Sequence, residues 1–452
     1  MDHSESGNRP TSRRVFSSIA VAAAIIPLVA LALSAQSDAA IETISDSALQ
    51  ALTTTVGGAP VLPTTRTVAH WWGSTVDPHD GVTYGYNMVG ADPNKCSGSG
   101  CSVTIDTDIT PLNIIVGGMS FDGSDVVAAT LASPQFEVEN YGLTPFATAA
   151  GSFPLSPAFV RGPGGALSQG DAAHLLQLQD ATMRAQFNKT GASNYHLILN
   201  PIVHPAVTIV VPGNKGTLLR GARGVVIGDV NIEWWATRIQ NLNSSLDYTD
   251  PTHLSLYLTS DVVNFVGKDP ANCCVIGFHG AAKVPGNGLG SVNGNGNQPV
   301  QTYAWASYLS PGVYARPNGG TYWALQDIHA LSHEIAEWAD DPFINNLVEP
   351  WLTPTAPQYG CTNILETGDP VVGIGFAVGI NTFRQGPNPN GTQSADTFYH
   401  PEDEVYLPWF MRSAPNTMSE PTQTASANIG RYSLMGTLNP FPGFRQPATG
   451  CQ

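Results

Sequence analysis

Apolar and polar positions alternate in short runs along most of this chain, and few stretches carry a helical period. Val103–Ile105 and Leu112–Val116 are short β-branched runs and predict strands. Residues 117–165 are rich in turn formers. Gln169–Phe187 is the first helical pattern, with Leu175, Leu176, Leu178, Ala181, Met183 and Ala185 along it. His196–Leu199 and Ala206–Val211 predict strands on either side of Pro205, Val225–Ile227 a strand, and Ile232–Leu242 a helix. Leu254, Leu256 and Leu258 then alternate with Ser255, Tyr257 and Thr259, the pattern of a half-buried strand. Cys273–Phe278 is a continuous apolar run, as in a buried strand. Residues 284–298 are mostly Gly, Asn and Pro and predict a surface loop. Thr302–Tyr308 alternates again, with Tyr303 and Trp305 on one face. Asn318-Gly319-Gly320 ends the strand region, and a helix over Trp323–Asp340 is stopped by Pro342. The order strand, helix, strand, strand, strand, helix predicts an α+β domain: a mixed sheet with one long helix against it.

Composition narrows the class. Of 452 residues, 46 are Gly and 35 are Pro, which breaks long helices and excludes a coiled coil or helical bundle. Gly follows no three-residue period, so collagen is excluded too. Hydrophobic residues make up 42% and charged residues only 12%, the reverse of a disordered chain. Lys and Arg number 19 against 35 Asp and Glu, a net charge of −16, so nucleic acid is not an expected partner.

The first residues describe an address. Arg9, Arg13 and Arg14 precede an apolar run from Ile19 to Leu33, and small residues follow, including Ala35, Ala39 and Ala40. That is the layout of a secretory signal, and Arg13-Arg14-Val15-Phe16 resembles the twin-arginine export type. Three regions are expected: an export signal over 1–39, a strand- and loop-rich region over 40–220, and an α+β domain with a C-terminal tail over 221–452. No later apolar run is long enough to span a bilayer, so stable membrane insertion after cleavage is not expected. Six cysteines fit an extracellular or periplasmic protein with disulfides. Cys96 and Cys101 flank a Ser/Gly loop and suggest a local pair, and Cys361 with Cys451 would tie down the tail. Cys273 and Cys274 are adjacent, so either is open to a partner elsewhere.

The last helix carries the candidate chemistry. At about 100° per residue, His329, His333, Glu337 and Asp340 fall on one stripe beside a face of Leu325, Ile328, Ser332, Ile335 and Ala339. Residues one turn apart can converge on one cation. The zinc motif H-E-x-x-H works this way, its Glu acting as general base on the water that the metal activates. This chain has His333-Glu334-Ile335-Ala336-Glu337, with Glu in place of the second His. Carboxylate oxygen is a legitimate zinc ligand, and the exchange admits harder metals. A bland alternative is a solvated polar stripe. His279, after its apolar run, offers two readings, a side chain pointing into a cleft or a satisfied core residue, of which the second is expected, and Glu402-Asp403-Glu404 is expected as a solvated turn.

The strand order followed by a helix with His-Glu resembles the zincin fold of metallopeptidases. Leu331-Ser-His333-Glu334-Ile-Ala-Glu337 with Asp341-Pro342 resembles a motif of exported bacterial proteins and, more faintly, the plant exordium or phosphate-induced secreted proteins. Those carry a downstream Glu-x-x-Asp, here Glu366-Thr-Gly-Asp369. The resemblance spans about residues 250–410. It implies a zincin-like mixed sheet on a long active-site helix, and a divalent metal, zinc first. His333, Glu337 and Glu366 are the first ligand choice, with His329, Asp369 and His400 as alternatives and Glu334 as base. Two functions follow: an exported metal-dependent hydrolase acting on peptides or proteins, or a non-catalytic secreted wall-associated or binding protein on a degenerate zincin-like scaffold.

Overall fold

The computed structural model describes residues 54–56, 59–61, 66–96, 101–140, 175–187, 189, 194–221, 224–284, 299–314, 325–352, 361–371, 374–376, 378–383, 398–413, 416–417, 430–433 and 451. The expected export signal lies outside these residues. Among them, no helix is long and apolar enough to cross a membrane.

In chain order, β1 (His70–Val76) and β2 (Thr83–Val89) form a hairpin. The long β3 (Ser102–Val116) and short β4 (Met119–Asp122) follow, then α1 (Leu178–Gln186), β5 (His196–Val203), β6 (Val207–Val210) and β7 (Gly216–Arg220). Next come β8 (Val226–Asn231), α2 (Ile232–Ser245), β9 (Leu254–Ser260), β10 (Val262–Phe265), β11 (Cys273–Val275) and β12 (Gly277–Lys283). The set closes with β13 (Val300–Tyr308), α3 (His329–Asp340), β14 (Leu347–Leu352) and β15 (Cys361–Ile364).

The architecture is mixed α+β. The main sheet has seven strands in the order β6–β3–β9–β13–β12, with β4 and β5 also paired to β3. The β3–β9 and β9–β13 pairs are parallel, and β12 runs antiparallel on β13. A second sheet has the order β7–β8–β10–β11. The division expected at 220/221 does not separate sheets, because Thr107–Pro111 of β3 pairs with Leu254–Leu258 of β9.

Several expectations shift. The two strands expected over 103–105 and 112–116 are one strand of 15 residues. Pro111 lies where the neighbour on one side changes: Ile109 faces Val203 of β5, and Leu112 faces Val207 of β6. A missing N–H is tolerated at such a break between partners. Residues 254–259 are buried on both faces, not half-buried, in a strand flanked by β3 and β13 inside the sheet. The helix expected over Gln169–Phe187 begins at Leu178, and residues 169–174 lie outside the described set. The run Cys273–Phe278 divides into β11, which joins the second sheet, and β12, which joins the first.

The alternation on β13 sets the two helices on opposite faces. Trp305 stands on one face and meets Trp235 of α2 edge-on at 5.6 Å. Thr302, Ala304 and Ala306 stand on the other, where small side chains let α3 approach. Trp338 of α3 seals that contact, donating from its indole N–H to Thr302 Oγ1 at 3.0 Å. The helix ends as expected before Pro342. The ring disfavours helical geometry in the preceding residue, and Asp341 accordingly leaves the helical region, at φ −143° and ψ 70°.

All six cysteines are paired: Cys96 with Cys101, Cys361 with Cys451, and Cys273 with its neighbour Cys274. The last pairing differs from the partner elsewhere that adjacency left open. The Cys361–Cys451 bridge spans 90 residues of sequence. Restricting so long a loop in the unfolded chain stabilises the fold by about 2–5 kcal/mol. Replacing both residues by Ser should lower the unfolding free energy by that amount in denaturant titrations, with the denaturant midpoint shifted down.

Candidate metal centre

α3 is buried on every side, so the polar stripe is not a solvated face. Its carboxylates and imidazoles meet His279 of β12 on one side and Gly368, Asp369 and Glu402 on the other. Nine ionisable side chains meet there: His279, His329, His333, Glu334, Glu337, Glu366, Asp369, Glu402 and Glu404. None is more than 3% exposed.

Two glycines make the approach possible. A Cβ on Gly277 of β12 would lie 2.6 Å from Glu334 Oε1, and a Cβ on Gly368 would lie 2.4 Å from His333 Nδ1. The backbone therefore lies flat against both side chains, where any larger residue would displace them.

His279 was expected to be a satisfied core residue, and it is not. Neither ring nitrogen makes a hydrogen bond. Nδ1 lies 3.5 Å from Glu337 Oε2 and 3.6 Å from Glu334 Oε2, and Nε2 lies 3.9 Å from Glu366 Oε2. Burial works against its protonation, but Glu334 and Glu337 outweigh it and hold the imidazole pKa up at about 10 in the absence of a cation. Its sequence signal was faint: a His between Gly277 and Gly280 on a buried strand, where small neighbours leave room for carboxylates from elsewhere.

Glu337 stands at the junction of two groupings. His279, Glu337 and Glu366 form one, and His333, Glu337 and Asp369 the other, each with its ligand atoms within 4.8 Å of one another. Glu337 Oε1 faces the second grouping: it lies 3.1 Å from His333 Nε2 and accepts the backbone N–H groups of Gly368 and Asp369 at 3.1 and 3.3 Å. Its Oε2 faces His279 and accepts no hydrogen bond. Burial opposes ionisation of Glu337, but His333 and His279 prevail and hold its pKa well below the usual carboxylate range.

The sequence-derived ligands divide accordingly. Glu366, the first choice for the third ligand, stands with His279, and Asp369, the second choice, stands with His333. His329 lies 2.8 Å from Glu402 Oε2, the same oxygen that lies 3.0 Å from His333 Nδ1. His400 is outside both groupings, held by Asp327 Oδ2 at 2.6 Å from its Nδ1. The segment Glu402-Asp403-Glu404, expected as a solvated turn, is wholly buried. Glu402 takes the two imidazoles, and Asp403 accepts from Ser433 Oγ at 2.7 Å. Burial pushes Glu404 well above the usual carboxylate range, and Glu402, Glu337 and Asp403 add to this against His333.

Comparison with protein-family models, curated proteins and solved structures finds no match. The centre therefore rests on its own chemistry. Six carboxylic side chains and only three imidazoles share a water-excluded volume, so acidic groups are in excess there. An uncompensated buried charge costs several kcal/mol. A divalent ion bound among them would offset that excess, with its His ligand neutral. Two ligand atoms on a tetrahedral ion with bonds of ~2.1 Å lie about 3.4 Å apart. The 3.5 Å from His279 Nδ1 to Glu337 Oε2 matches that separation.

Proposed function

We propose that this chain is an exported metal-dependent hydrolase with a peptide or protein substrate, its divalent ion held by His279, Glu337 and Glu366. The observation that carries the metal is the excess of buried carboxylate around an imidazole that makes no hydrogen bond. Mixed nitrogen and oxygen ligands suit zinc, and the high carboxylate share also admits harder ions. When bound, such an ion polarises a carbonyl and acidifies water beside it. On this reading Glu334 would accept that proton. It is one residue from His333, its Oε2 lies 3.6 Å from His279, and the Gly277 backbone leaves it room. A zincin-like arrangement is in keeping with α3 packed beside β12, the last strand of the main sheet among the described residues. An extended peptide can add to such an edge. Paired cysteines and a basic, then apolar, then small-residue N-terminus support export.

A second reading has its own support. A catalytic ion keeps an open position, whereas a structural one is closed, and no residue here exceeds 3% exposure. On that reading the same ion holds a non-catalytic secreted binding protein together. Elemental analysis of protein purified without chelator, followed by a casein assay, separates the two. A hydrolase should hold close to one equivalent of metal. Its Glu334→Gln variant should keep that metal and lose activity by about 10²–10⁴-fold. Metal-loaded wild type that leaves casein intact selects the closed centre. Protein with negligible metal, and a stability that chelator does not alter, removes both.

A further inference from the structure

A separate cluster lies at the β1–β2 turn, sharing no residue with the centre on α3. Asp77, Asp80 and Glu349 each place an oxygen within 4.8 Å of the others. The turn is tightly built: Asp77 N–H donates to Val82 O at 2.9 Å, and Gly81 N–H returns to Asp77 O at 2.9 Å. Gly81 sits at φ +74°, which an L side chain resists.

The side chains are not arranged to satisfy one another. Asp77 is fully buried. Its Oδ1 accepts the His79 N–H at 2.7 Å, while its Oδ2 receives no hydrogen bond. Asp80 is better supplied, accepting from Val82 N–H and the Tyr84 hydroxyl, both at 2.7 Å. Glu349, arriving from β14, meets His79 Nδ1 at 3.0 Å and Arg412 Nε at 3.2 Å. Glu349 and Asp77 lie within hydrogen-bond reach of each other, two acceptors that only a proton or a cation can bridge. Burial raises the Glu349 pKa, Arg412 opposes this, and Asp77 adds to it. A fully buried carboxylate with one oxygen lacking a hydrogen bond, clustered with two other carboxylates, is costly unless a cation completes it.

We propose that Asp77, Asp80 and Glu349 form a calcium site that fastens the β1–β2 turn to β14. Three carboxylates with no thiolate and no imidazole among the ligands select a hard cation. Calcium suits a partly open site of irregular geometry better than magnesium, which demands a near-octahedral shell. The remaining positions fall to water, since Asp80 is exposed. The consequence is mechanical. The far end of the same hairpin is already tied beside α3, where Asn87 and Asn346 exchange hydrogen bonds of 2.8 and 2.6 Å. Calcium would fix its other end, and so the segment that follows the helix.

The test uses the mature chain and calcium itself. Millimolar calcium should raise the melting temperature of wild type, with a dissociation constant of about 10⁻⁴–10⁻³ M, the range of extracellular modules. Asp77→Asn and Asp80→Asn keep the turn's backbone hydrogen bonds. Each should abolish the calcium-dependent rise while melting no lower than wild type in chelator, because carboxylate repulsion has been removed. Tyr84 supplies an independent readout. Its hydroxyl lies 2.7 Å from Asp80, so exciting it should sensitise bound terbium, with emission displaced by calcium and not by equimolar magnesium. Tyr84→Phe should dim that emission and leave the calcium-dependent rise in place. An equal rise with magnesium, a rise retained in Asp77→Asn, or no rise in wild type overturns the site. None of these outcomes depends on zinc or casein hydrolysis, so failure here leaves the α3 centre standing.

Discussion

His279→Ala should empty the metal centre and, with calcium held constant, make the protein indifferent to a zinc-selective chelator. In wild type, chelation of the α3 ion should lower the melting temperature, because removing it leaves six carboxylic side chains clustered with only three imidazoles inside the fold. His279 is the only one of the three imidazoles whose two nitrogens face three different carboxylates, those of Glu334, Glu337 and Glu366, without a hydrogen bond to any. Removing it deletes a ligand and leaves its partners uncompensated, a cost of about 3–5 kcal/mol. The control is His329→Ala. That side chain meets Glu402 at 2.8 Å and stands in neither grouping, so the variant should keep its metal while losing some stability. His333→Ala decides where the ion sits: retained metal assigns it to the His279 grouping, lost metal to the His333 grouping. Elemental analysis and melting curves with and without chelator measure all three. If His279→Ala holds as much metal as wild type, the ligand set proposed here is wrong.

What the sequence disclosed and what it hid divide along a physical line. The helix over 329–340 was legible because its period, its His-Glu pair and Pro342 are local signals. Its start was read too early. Leu325–Ile328 carries apolar residues, but Asp327 takes φ +45°, which a helix cannot continue through. The α+β class was legible from the alternation on β9 and β13. Pro111 concealed the continuity of β3, because a proline inside a paired strand is tolerated only where the neighbouring strand breaks, and the break is not local. His279 was misread for the same reason. Its three carboxylates come from α3 and from residue 366, far along the chain. Glu402-Asp403-Glu404 looks solvated in a short window, since consecutive acids are seldom buried without partners. The partners are His329, His333 and Ser433, supplied only by the fold.

Stability should fall as pH rises through neutrality, and Asp229→Asn should remove part of that fall. Asp229 stands on β8, fully buried, and neither carboxylate oxygen receives a hydrogen bond. Burial alone pushes its pKa up to about 8 from 3.8. The folded chain therefore keeps a proton that the unfolded chain has already released. Between about pH 4 and pH 8 the native state binds more protons at this residue. Stability declines there by about 1.4 kcal/mol per pH unit and levels off above pH 8. Asn has the same shape and never ionises. The variant's stability relative to wild type should therefore rise by on the order of 4 kcal/mol between pH 5 and pH 9. Asp340, raised by burial to about 7 despite a 2.6 Å hydrogen bond from Gln186, adds a decline of the same sign to both proteins. It therefore drops out of the difference. Denaturant unfolding of both proteins across this range, with calcium and metal held constant, measures it. Parallel stability curves would mean that Asp229 finds a donor in solution, and the assignment of the decline to this carboxylate would fail.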